Sequence, residues 1–147
     1  MEHHEYAQPA PSDYTPSYRL FSSQAVFIAG FLGTMFASFL VMAINAFKLG
    51  QQTRGFMLLA VGGVLTPLYL MLALLIPDGL SFIFMLLNLG ILFGLKALTE
   101  KLFASDFEQQ IARGGDVGMV GPAIAIGIAT FIPFCILTVL VVAIFVA

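Results

Sequence analysis

The chain has 147 residues, 60% of them hydrophobic and only 10% charged, with a mean hydropathy of +1.01, whereas soluble domains run near 25% charged. That balance excludes a soluble core and leaves room for one membrane domain, built from apolar blocks long enough to cross ~30 Å of hydrocarbon. A net charge of −2, with six Lys and Arg that form no cluster, excludes nucleic-acid binding and strong attraction to anionic lipid, so partners are expected in the lipid bilayer.

Residues 1–21 mix Pro9, Pro11 and Pro16 with Ser, Tyr and charged side chains, a composition that reads as a flexible polar tail. Glu2, Glu5 and Asp13 make this start acidic, and the apolar block that follows is too long for a cleavable signal peptide, so it is expected to stay as an anchor. Residues 22–147 then read as an all-α membrane domain of four transmembrane helices plus a short interfacial helix. Ser22 or Ser23 caps a first span over about 24–47, uninterrupted by Pro or an ionisable group. A polar loop from Lys48 to Arg54 leads to a second span over about 55–76, in which Pro67, with Gly63 one turn earlier, predicts a kink. Pro77, Asp78 and Gly79 form a compact turn, and a third span over about 80–96 pairs with the second as an antiparallel hairpin.

Beyond Lys96, apolar Leu98, Leu102, Phe103, Phe107 and Ile111 recur at helical spacing with charged residues opposite them. The pattern predicts an amphipathic helix over about 98–112 lying at the interface; the other reading is an extension of the third helix. Gly114 and Gly115 provide a stop, and the fourth span over about 117–146 carries Pro122 in its first turn and a kink at Pro133. Five of the six basic residues (Lys48, Arg54, Lys96, Lys101 and Arg113) sit on the two connections expected in the cytoplasm and only Arg19 on the other side. This places both termini outside it.

Lipid supplies no hydrophobic drive between helices, so small residues four apart mark close helix approach. Ala29, Gly33 and Ala37 form such a stripe on the first span, Gly90 and Gly94 on the third, and Gly121, Ala125 and Ala129 on the fourth. They fit either an oligomer contact or packing within the bundle. No span contains an ionisable residue of the kind that marks a proton or ion path; the intramembrane polar groups are Asn45 and Asn88, with Thr34, Ser38 and Thr66 as lesser ones. Thr130 is positioned to satisfy a carbonyl freed by Pro133. The solitary Cys135 reads as a small buried hydrophobe. Glu2, His3, His4 and Glu5 offer at best a loose metal site on a flexible segment. With no catalytic trio, paired carboxylates or phosphate loop, neither an enzyme nor a bound cofactor is expected.

Leu20-Phe21-Ser22 with Gln24, the run from Ala29 to Ala37, Asn45, Leu49-Gly50, and Ile111 with Gly114-Gly115 give the chain a pattern that resembles a family of small uncharacterised bacterial inner-membrane proteins. The resemblance covers most of residues 20–120 and implies four spans, an inner-membrane location and no assigned activity. The functional expectation is a non-catalytic packing or accessory module that forms a homo-oligomer or joins a membrane-protein partner. The alternative is an oligomeric permeation pathway for a neutral or weakly polar solute, formed by Asn45, Asn88, Thr34 and Thr66.

Overall fold

A computed structural model of the chain describes residues 16–146; the Glu2 to Glu5 cluster lies outside the described residues. The elements in order are β1 (Leu20–Phe21), α1 (Ser23–Leu32), α2 (Met35–Lys48), α3 (Gln52–Leu75), a 3-10 turn (Asp78–Leu80), α4 (Ser81–Ala112), β2 (Val117–Gly118) and α5 (Val120–Val146).

The first apolar run is broken rather than continuous. Ser22 caps α1, its hydroxyl accepting from the Ala25 N–H at 3.2 Å. The helix stops at Gly33, Thr34 is extended, and α2 starts at Met35. The two helices then fold back on each other: Ser38 Oγ donates to the Val26 carbonyl at 2.9 Å, and Asn45 reaches Phe21. At 10 and 14 residues they are about 15 and 21 Å long, and neither crosses ~30 Å of hydrocarbon alone. The expected first span is therefore a helical hairpin. Its two ends lie together, because Lys48 Nζ donates to the Arg19 carbonyl at 2.7 Å.

The interfacial helix is likewise not separate: α4 runs unbroken for 32 residues, the extension that was the other reading. Its second half is held by Leu95, Thr99, Phe103 and Gln110, all buried, so packing against the protein replaces a bend onto the membrane surface. The stops after Lys48 and Ala112 share one geometry. At each, a glycine with positive φ (Gly50 at +73°, Gly114 at +74°) lets the next N–H reach back to a carbonyl of the last turn: Gln51 to Ala46 at 2.8 Å, Gly115 to Gln110 at 2.9 Å.

The hairpin is the core. α3 packs on α2, α4 on α1, and α5 mainly on α1, while among the described residues no two of the long helices pack closely on each other. α3 and α4 are antiparallel, as expected, but meet through long side chains: Tyr69 stacks on Phe84 with centroids 4.6 Å apart, and Arg54 approaches Asp106 at 4.0 Å. Three helices are long and apolar enough to cross a membrane, Gln52–Leu75, Phe82–Ala112 and Val120–Leu140, and only 11%, 17% and 11% of their apolar windows are buried inside the protein. Such exteriors are stable only against hydrocarbon.

Candidate functional site

Two features of the hairpin bring polar groups together, one at its base and one at its tip. At the base, Leu20 and Phe21 are buried, and β1 pairs in parallel with β2, Leu20 opposite Val117 and Phe21 opposite Gly118. The other edge of β1 is met by Asn45, whose Oδ1 accepts from the Phe21 N–H and whose Nδ2 donates to the Phe21 carbonyl, both at 2.8 Å. One side-chain amide thus does the work of a neighbouring strand, and Asn45 is fully buried with its polar atoms satisfied. Gln110 donates to the Tyr18 carbonyl at 2.7 Å, Arg19 pairs with Asp116, and the Ser23 hydroxyl bonds Glu100 at 2.8 Å. The expected flexible tail therefore ends before Tyr18, because the Leu20 and Phe21 side chains gain burial and their backbone gains partners. Lys48 lies over the Phe21 ring at 5.0 Å, and its partial burial holds the ammonium pKa below the ordinary lysine value.

At the tip, the break is accommodated by glycine. A Cβ on Gly33 would stand 2.5 Å from the Gly127 carbonyl oxygen, and one on Gly127 would stand 2.8 Å from the Ala29 oxygen. Here α1 and α5 touch backbone to backbone, which is what the Ala29 and Gly33 spacing signals. Ala37 is also buried, but on α2, beyond the break, so it does not continue the α1 stripe. The remaining stripe residues are all exposed: Gly90, Gly94, Gly121 and Ala125 face outwards, Ala129 lies along the space between α3 and α5, and a Cβ on any of the three glycines would meet nothing within 4 Å. α3 carries a further packing stripe, outside the ones expected: Gly55, Leu58 and Gly62 are buried at i, i+3 and i+7, with Phe47 against Gly55 and Phe39 against Gly62. Helical spacing of small residues would have found it.

Beside the tip lies a cleft of about 390 Å³ between the midpoints of α3 and α5. Gly63, Thr66 and Pro67 line one wall, Ala129, Thr130 and Pro133 the other, with Thr34 at the hairpin end. Both helices continue through their prolines, leaving the Gly63 and Ala129 carbonyls without the amide donor that would lie four residues on. Thr130 does not repair this, contrary to expectation, because its hydroxyl bonds the Ile126 and Gly127 carbonyls, each at 2.9 Å. Thr66 Oγ1 is shielded and without a hydrogen-bond partner.

Thr34 and Thr66 thus share a cavity, while Asn45 is engaged by Phe21 at the other end of α2 and Asn88 lies half-buried on α4, outside the cleft lining. Cys135 is half-buried on α5. Among the described residues, no three His, Cys, Asp or Glu side chains converge on a metal position.

These features define a membrane-embedded helical protein whose core is a broken-helix hairpin. No family model, no curated protein and no solved structure matches the chain.

Proposed function

We propose that the protein is a non-catalytic module of a bacterial inner membrane that crosses the bilayer three times around the re-entrant hairpin, and that associates with a second copy or another membrane protein through α4 and α5. The observation that carries this reading is the outward direction of Gly90, Gly94, Gly121 and Ala125, since small residues at this spacing allow backbones to approach closely in lipid. The fold-back of α1 and α2 moves Arg19 to the end that holds Lys48. With Arg54, Lys96, Lys101 and Arg113 towards that same end, the basic residues all favour one side, which is the cytoplasmic one. The segment before β1 is then cytoplasmic and the end of α5 is outside, in place of the arrangement with both termini outside.

Association is tested by light scattering and cross-linking in a mild detergent. The wild type is expected to migrate above monomer mass or to retain a partner, and the double variant Gly90→Leu, Gly94→Leu to lose that association at unchanged thermal stability. A wild type that is monomeric and partner-free would sink the proposal. Topology is tested by fusing a fluorescent protein to the N-terminus: cytoplasmic fluorescence is expected, and an exported, dark fusion contradicts three crossings.

A further inference from the structure

We propose that the cleft between α3 and α5 binds a neutral amphiphile drawn from the bilayer, an apolar body carrying one hydroxyl group. This needs only that the protein is membrane-embedded and is independent of the association proposed above. Among the described residues, no titratable one lines the cleft, and most of its wall is apolar, with Phe36, Leu70, Phe134 and Leu137 facing it, so a charged ligand would be stripped of water without compensation. The polar groups along it are acceptor-rich: the Gly63 and Ala129 carbonyls lack their helical donors, and buried Thr66 Oγ1 has no partner. The two carbonyls each lack a donor, and the Thr66 hydroxyl lacks a partner of either kind. Thr34, which precedes α2 and makes no capping bond, adds a second hydroxyl at the hairpin tip. The volume, about 390 Å³, falls in the range of small-molecule sites. An alcohol group matches the unpaired acceptors, and its hydrocarbon body matches the apolar wall.

The test uses the full chain in lipid nanodiscs, with a diazirine-bearing long-chain alkanol as photolabel and its methyl ether as the donor-free control. The alkanol is expected to label residues within 34–36, 63–70 and 129–137, and excess unlabelled dodecanol to compete it away. Thr66→Val is expected to lower labelling roughly fivefold, the effect of losing one hydrogen bond, and Thr66→Ser to restore it. Gly63→Leu should abolish labelling without unfolding the protein, because there is open space beside Gly63. Equal labelling by alkanol and ether, labelling spread over all lipid-facing surfaces, or undiminished labelling of Gly63→Leu would each overturn the proposal. If Thr66→Val does not fold, the ether control and Gly63→Leu decide.

Discussion

At the end of the molecule where Arg19, Lys48 and Asp116 meet, polar groups are paired across the N-terminal segment, the hairpin, α4 and β2. Towards the other end α3, α4 and α5 stand apart with apolar residues such as Leu75, Phe82 and Val139 facing outwards. The hairpin explains the contrast: it is too short to fill the bundle along its whole length, so one end is organised by directional bonds and the other is left to lipid or a partner. The two kinds of small-residue stripe divide along the same line. Ala29 and Gly33 have the spacing of Gly90 and Gly94, yet the first pair packs against α5 and the second faces away from the protein. Spacing reports that a backbone can be approached closely, not what approaches it.

Substitution separates these regions. Gly33→Leu is expected to have the largest effect, since the nearest atom to the new Cβ is a backbone oxygen at 2.5 Å, which cannot swing aside; a loss of about 3 kcal/mol would appear as a sharply lowered thermal midpoint in detergent. Asn45→Leu comes next, because it strands the buried N–H and carbonyl of Phe21. About 3 kcal/mol is expected, together with trypsin cleavage at Arg19, which should be slow in the wild type. Asp116→Asn removes the partner of Arg19, but both side chains are more than half exposed, so the change should stay below about 1 kcal/mol and vanish in 1 M salt. Gly90→Leu with Gly94→Leu should leave the thermal midpoint in place, as nothing lies within 4 Å of either site. If this double variant destabilised the monomer as Gly33→Leu does, the division between inner and outer stripes would fall.

Much of this architecture is legible from residue order. Ser22 caps α1, Gly50 and Gly114 end their helices, Pro77 to Gly79 makes the turn between α3 and α4, and Pro122 sits in the first turn of α5, because each acts through its immediate neighbours. The break at Gly33-Thr34 carried a local signal too, a helix-stopping glycine followed by a residue suited to capping. A run of this length satisfies the requirement for a membrane span so well that the signal reads as a packing stripe. Asn45 is legible as a polar group but not as the partner of Phe21, since the two residues, 24 positions apart, come together only once the hairpin closes. The Thr66 cleft was equally hidden: it needs two prolines, 66 positions apart in the sequence, to face one cavity.

The apolar character of the long helices, the positions of their polar ends and the residues that start or stop each one follow from residue order alone, because transfer energies and backbone preferences act over a few residues. Which apolar run is enclosed and which is exposed, and therefore that the first of them turns back halfway, is fixed by packing between segments. Helices of similar hydropathy bury equally well in lipid or in protein, and the choice falls to contacts between segments far apart in the chain, among them Gly33 with Gly127 and Asn45 with Phe21.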